Sequence, residues 1–238
     1  MTGPRAESGA ESGRVGAGEV DPLMVERISA NLAVVRQRIA AAGGGPEVRV
    51  LAVTKRQPPE VVIAALGAGL DMMGENYVQE LVAKARALDG ADVRWHMIGQ
   101  LQTNKVRQIA SVVSCVQTVD RASLVAELAR RAPGSSVMVQ VDLAGIEGRG
   151  GCSFEQVDEL VEVASRDLAV AGLMGVAPPL DGPGGSEAVR ESFQRLAAIR
   201  DRLGLAELSM GMTADLELAV GAGATMVRVG TALFGART

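Results

Sequence analysis

The stretch LAVTKRQPPE, residues 51 to 60, closes a run of small and branched apolar residues with a lysine. The run, Val48 to Thr54 broken only by Arg49, reads as a buried parallel strand, and Lys55 stands at its carboxyl end. Strand ends of that kind are where α/β proteins keep their reactive groups. A neutral lysine amine held there attacks carbonyls and forms a Schiff base with a cofactor or substrate. The same position suits a structural lysine whose head reaches water along its own stem.

Two later stretches carry a second kind of chemistry. LSMGMTADLELA, residues 208 to 219, passes from a strand through a glycine turn into an apolar helix. TMVRVGTALFG, residues 225 to 235, passes from a strand through Arg228 into GlyThrAlaLeuPheGly. Loops of this form after the last two strands of a barrel bind phosphate through backbone N–H groups and the amino end of a short helix. Gly230 lets a backbone approach closely, the Thr231 hydroxyl adds a donor, and Ser209 could supply another. Taken singly, each is an ordinary turn residue. GENYVQE at 74 to 80 holds Asn76 and the only tyrosine, Tyr77; WHMIGQLQTNK at 95 to 105 holds the only tryptophan and the only histidine, His96. A lone strand histidine is more often a hydrogen-bonded core residue than a catalyst.

These residues need a frame, and the chain supplies alternating strands and helices. A helical pattern at Pro22 to Ala42 opens it, with Leu23, Ile28, Leu32, Val35 and Ile39 at helical spacing. The strands predicted after it are 48–53, 70–73, 93–98, 112–119, 136–142, 169–174, 207–210 and 225–229. Amphipathic segments such as 77–88, 122–131, 154–166 and 187–203 return the chain for parallel neighbours. Eight β/α units in about 190 residues match a compact (β/α)8 barrel. An open doubly wound sheet has the same periodicity, but no strand here is followed by the GxGxxG of a dinucleotide fold. We expect one barrel domain over residues 21 to 238 and a disordered tail over 1 to 20.

Composition narrows the function classes. The chain has 238 residues, 47% of them apolar but only five aromatic, so Ala, Val, Leu, Ile and Met must build the core. Twenty-four basic residues against 28 acidic ones give −4, with no basic block to suggest nucleic acid. Cys115 and Cys152 form no closely spaced pair of metal or redox type, which fits a reduced, cytoplasmic protein. Neither a signal peptide nor a membrane span is expected: the longest apolar run, Val61 to Leu70, is far below the roughly 20 residues a bilayer requires.

Lys55 in LAVTK, GENYVQE, WHxIGxLQxNK at 95 to 105, GLM at 172 to 174, LSMGM at 208 to 212 and VRVGTALFG at 227 to 235 occur in one order and spacing. From about residue 23 to 237 the chain resembles the pyridoxal-phosphate homeostasis protein family, which shares the barrel of alanine racemase. The resemblance implies a (β/α)8 TIM barrel of alanine racemase N-terminal type, preceded by a helix, binding pyridoxal 5′-phosphate (PLP) as an internal aldimine on Lys55. It also implies phosphate contacts from Ser209, Gly230 and Thr231, Arg228 facing the pyridine nitrogen, and Asn76 and Met210 lining the pocket. The family often has His where Gln100 stands, Ser where Thr103 stands, and a lysine in the loop 145 to 152.

Arg228 at the pyridine nitrogen disfavours its protonation and weakens the ring as an electron sink. The racemase's second base comes from a further domain, which this sequence is not expected to carry. The implied function is therefore PLP binding, storage or delivery in vitamin B6 homeostasis, by a monomer serving PLP-dependent apoenzymes and with no catalytic residue assigned. A PLP-dependent amino-acid racemase is the alternative, and an aldolase-type enzyme using Lys55 on its substrate a more distant one.

Overall fold

A computed structural model describes residues 20 to 146 and 148 to 235, so the expected tail lies outside it except for Val20. The first helix, α1 (Pro22–Ala41), starts where Asp21 accepts from the Leu23 N–H at 3.0 Å and Pro22 presets the first turn. It stops before Gly43, whose φ of +89° an L side chain rarely adopts. Ile28, Val35 and Ile39 form its buried stripe.

Eight strands alternate with helices after α1: β1 (Arg49–Val53), α2 (Pro59–Gly67), β2 (Met72–Glu75), α3 (Val78–Ala87), β3 (Arg94–Met97), α4 (Val106–Ile109), β4 (Val113–Val119) and α5 (Ala122–Arg131) make the first half. The second half is β5 (Ser136–Asp142), α6 (Val157–Ser165), β6 (Ala169–Val176), α7 (Gly185–Arg202), β7 (Glu207–Ser209), α8 (Leu216–Gly221), β8 (Met226–Val229) and α9 (Thr231–Phe234). All the strands pair in parallel and in sequence order, and β8 closes on β1 with Leu51 opposite Arg228. Closure excludes the open sheet. The helix α1 packs against α2, α8 and α9, where Asn31 Nδ2 donates to the Leu233 carbonyl at 2.8 Å.

The composition decides how the barrel is filled. Leu51, Met72, Cys115, Met138, Met174 and Met226 form a buried cluster separate from the larger core between sheet and helices. Four of these six are methionines, unbranched side chains that fill irregular space where aromatic rings are scarce. The plug leaves the polar residues to the carboxyl ends of the strands.

Candidate functional site

Strand register places the candidate residues. Val53 pairs with Gly74, so Lys55 and Asn76, each two residues further on, stand at one height at the barrel mouth. Ala52 pairs with Val229 on the other side, which brings Gly230 beside Val53. The approach is close: a Cβ on Gly230 would lie 3.3 Å from the Val53 carbonyl oxygen. Thr231 then begins α9, whose first N–H groups have no acceptor within the helix. Lys55, Asn76, Gly230 and Thr231 are thus gathered at the ends of three adjacent strands. Lys55 and Asn76 are half-buried, and Thr231 is exposed.

A buried ionic network lies behind Lys55. Lys84 of α3 donates from Nζ to Glu75 Oε1 and to the Thr54 carbonyl, both at 2.6 Å, and Thr54 Oγ1 donates to the same Glu75 oxygen at 2.7 Å. Glu75 is wholly buried, and that burial pushes its carboxyl above the ordinary range against the opposing pull of Lys84 and Thr54. On the far side of Lys55, the Arg56 N–H donates to Glu80 Oε2 at 2.6 Å. Sequence reasoning assigned no role to Glu75, Glu80 or Lys84. The signal was available, since Lys84 lies three residues from Leu81 on the buried face of α3.

Arg228 and Ser209 sit lower, inside the barrel. Arg228 donates from one terminal nitrogen to the Ser209 carbonyl at 2.7 Å and hydroxyl at 2.9 Å, and from the other to the Gly175 carbonyl at 2.8 Å. Ser209 Oγ in turn donates to Gln117 Oε1 at 2.7 Å, and Gln117 Nε2 donates to His96 Nδ1 at 2.8 Å. A directed chain of donors therefore runs from β8 through β7 and β4 to β3. Burial lowers the Arg228 pKa to about 10, with Asp215 opposing, so the guanidinium stays charged. Burial, with Arg49 and Arg94 adding to it, lowers His96 to about 4, so the imidazole stays neutral near pH 7. It is a structural histidine, as its position suggested. The Ser209 hydroxyl is engaged by Gln117 and Arg228, and Met210 is packed in the outer core. Gln117, which links β4 to this chain, was not singled out in the sequence.

A cleft of about 580 Å3 opens at the other half of the mouth, over the ends of β2 to β6. Asn76, Tyr77, Gln100, Gln140, Arg149 and Met174 line it. Gln140 Nε2 holds the Gly150 carbonyl at 3.1 Å, and Arg149 donates to the Ala177 carbonyl at 3.0 Å, which fastens the glycine-rich loop after β5 to the rim. Asn76 Oδ1 and Gln140 Oε1 are buried with no hydrogen-bond partner among the described residues. Cys152 is buried beside this loop and burial pushes its thiol up to about 11, which disfavours the reactive thiolate; Cys115 is likewise buried and raised to about 11. No group of metal-ligating side chains occurs among the described residues, and no described helix is long and apolar enough to cross a membrane.

The arrangement offers an amine, a positively charged floor and unpartnered acceptors around one opening. Comparison with known proteins gives the same frame. Residues 23 to 238 match the family model described as alanine racemase, N-terminal domain. The pyridoxal phosphate homeostasis protein of Aquifex aeolicus is 39% identical over 225 residues, covering 89% of this chain and 97% of that one. The structure of PipY from Synechococcus elongatus with PLP bound superposes with a TM-score of 0.75 at 32% identity, over 87% of this chain and 100% of that one. An alanine racemase of Clostridium difficile shares the fold alone, with a TM-score of 0.74 at 15% identity over 89% of this chain and 57% of that one. On its own barrel, its ordered motifs and these relatives, the chain belongs to the pyridoxal phosphate homeostasis protein family.

Proposed function

We propose that this chain binds pyridoxal 5′-phosphate at Lys55 and serves intracellular PLP homeostasis by holding the cofactor and releasing it. The observation that carries the reading is the half-buried Lys55 at the end of β1, level with Asn76 and adjacent to the Gly230–Thr231 turn. The residues fit the group. Asn76 Oδ1 is a buried acceptor without a partner among the described residues, and at Gly230 a Cβ would press against the Val53 carbonyl at 3.3 Å. When bound, the cofactor supplies an aldehyde that condenses reversibly with a primary amine, one C=N bond forming and one water leaving.

Lys55 supplies that amine, while Gly230 and Thr231 take the phosphate through the open N–H groups at the start of α9. Asn76 accepts from the ligand on the cleft side. Ser209 works through Arg228, whose guanidinium it holds in place, and Met210 backs the β7 end from the core. Arg228 keeps its charge beneath the site and, with the cofactor bound, would oppose protonation of the pyridine nitrogen. That weakens carbanion chemistry and favours storage over turnover. The reading takes the chain as a cytoplasmic monomer that passes PLP to apoenzymes; its two free, buried cysteines suit a reducing compartment.

The test is the visible absorption spectrum of the purified protein after incubation with PLP, before and after borohydride, for wild type and Lys55→Ala. A visible band that borohydride removes in wild type and that Lys55→Ala lacks is the expected result. A wild type that stays colourless with added PLP refutes the reading.

A further inference from the structure

Lys55 lies between two peptide groups, and a charged side chain of α3 holds each of them. The Thr54 carbonyl, on the amino side, accepts from Lys84 Nζ at 2.6 Å; the Arg56 N–H, on the carboxyl side, donates to Glu80 Oε2 at 2.6 Å. Glu80 and Lys84 are four residues apart on the helix, with 3.6 Å between their charged atoms. One face of α3 therefore grips the chain on both sides of Lys55. Glu75 anchors the grip from β2 by holding Lys84 and the Thr54 hydroxyl on one oxygen.

Two features mark this grip as more than packing. The Glu75–Lys84 pair is buried, with 0% and 5% of each residue exposed, and Glu75 Oε2 has no partner among the described residues. A buried ion pair adds little net stability compared with apolar residues of the same volume, because desolvating two charges offsets their attraction. Its return here is geometric, since its hydrogen bonds end on the residue before Lys55. Arg56, directly after Lys55, has φ +59°, the only positive value outside glycine among the described residues. An L residue resists that region, and it persists only where surroundings over-determine it. Two contacts do so: the Gln57 N–H donates to the Thr54 carbonyl at 3.0 Å and closes the turn around Lys55 and Arg56, and Glu80 accepts from the Arg56 N–H.

We propose that Glu75, Glu80 and Lys84 are positioning residues that fix the Lys55 backbone so that its side chain enters the mouth already oriented for the cofactor aldehyde. The proposal rests on the reading of Lys55 as the PLP attachment point. Fixing the loop in advance removes the ordering cost from binding, which shows as affinity and rate rather than as fold stability.

Glu80 is the residue to change first, because its side chain is partly exposed and the barrel core does not depend on it. Wild type, Glu80→Ala and Glu80→Gln would be compared by the rate and midpoint of the visible band on titration with PLP. Amide hydrogen exchange would be followed at Arg56 and in β5 and β6 without added PLP. Loss of a hydrogen bond to a charged group predicts about tenfold weaker PLP binding or more for Glu80→Ala. Exchange at Arg56 should quicken by a similar factor while β5 and β6 keep wild-type protection, and Glu80→Gln, which keeps an acceptor, should recover most of both. Unchanged binding and exchange in Glu80→Ala overturn the proposal, and so does a loss of protection spread over the whole barrel. If wild type itself forms no band, the PLP reading fails, and the exchange at Arg56 still decides whether Glu80 holds the loop.

Discussion

Acidification should weaken the barrel through His96, and the size of the effect follows from its burial. The imidazole is 6% exposed in β3, accepts from Gln117 at Nδ1, and has Arg49 and Arg94 acting on it. Burial disfavours the charged imidazolium, and Arg49 and Arg94 add to it, so the folded pKa falls to about 4; protonation would also set a donor against the Gln117 donor. In the unfolded chain the pKa returns to about 6.5. The folded value is the lower one, so at neutral pH His96 has no stability effect. As pH falls from about 6.5 to about 4, the unfolded chain takes up a proton that the folded one refuses, and stability declines through that window before levelling off below it.

Between about pH 7 and about pH 4.5, the two values correspond to a loss of about 2.5 kcal/mol from this residue. Urea unfolding at both pH values, for wild type and His96→Asn, measures it. Asparagine does not titrate, and its amide oxygen can still accept from Gln117. Glu75 and the arginine-paired carboxylates of Glu127, Asp158 and Glu217 titrate in both proteins, so they cancel in the difference of differences. Wild type should lose about 2.5 kcal/mol more than the variant over the interval. Equal losses within about 0.5 kcal/mol would refute the assignment of a neutral, desolvated His96.

Other substitutions probe the frame around the site. A Cβ on Gly99 would sit 2.1 Å from the Asn76 carbonyl oxygen, so Gly99→Ala must displace the backbone of β2's end; overpacking costs of about 1–3 kcal/mol and weaker PLP titration should appear together. Lys84→Met leaves the Glu75 carboxyl buried without its cation and should cost about 3–5 kcal/mol in urea, whereas Lys84→Met with Glu75→Leu should recover most of that; a double variant as unstable as the single one contradicts the ion-pair account. Arg228→Leu strips donors from the Ser209 and Gly175 carbonyls and the positive charge from the floor. It should lower stability by about 1–3 kcal/mol per orphaned carbonyl, and PLP binding that survives unchanged would remove Arg228 from the site.

The strand order was legible because a buried parallel strand has a short apolar signature that repeats, and each of the eight fell within a few residues of its place. The misplaced ends have local causes. Leu70 was expected to open β2, but its N–H is taken by the Ala65 carbonyl at 2.9 Å as α2 terminates, so the ladder starts at Met72. At the end of β6, Gly175 and Val176 extend the strand because β5 still pairs with them, a fact that lies in the neighbour's register and not in the segment itself. Candidate residues in contiguous motifs, Lys55 and Gly230–Thr231, were legible, and the strand register brings them to adjacent strand ends. Ser209 and Gln117 meet across 92 positions, and no local pattern foretells which strand polar group faces which. Lys84 escaped notice because a lysine in a helix is ordinarily solvated; its place on the buried face of α3 was readable, but the Glu75 carboxylate that β2 sets opposite it was not.

Scarcity of aromatic residues and the chemistry of the mouth are connected through the barrel interior. With methionines packed inside, Met226 brings its sulfur to 3.2 Å from Gln117 Nε2, so the apolar plug ends directly beneath the polar chain. Arg228 follows two residues later, and among the described residues its hydrogen-bond acceptors are neutral, the Ser209 and Gly175 carbonyls and the Ser209 hydroxyl. Its charge is therefore solvated by the barrel without being cancelled; burial lowers its pKa to about 10, and Asp215 offsets that only in part. A fixed cation in a low-dielectric wall attracts negative charge more strongly than an exposed lysine or arginine could, because water does not screen it. Opposite that wall, the cleft is lined by the Asn76, Gln100 and Gln140 amides together with Lys105, Asp142 and Arg149, and Asn76 Oδ1 and Gln140 Oε1 lack partners among the described residues. Each such acceptor costs about 1–3 kcal/mol while it lacks a donor. Lys55, at the end of β1, stands between the Arg228 wall and this cleft.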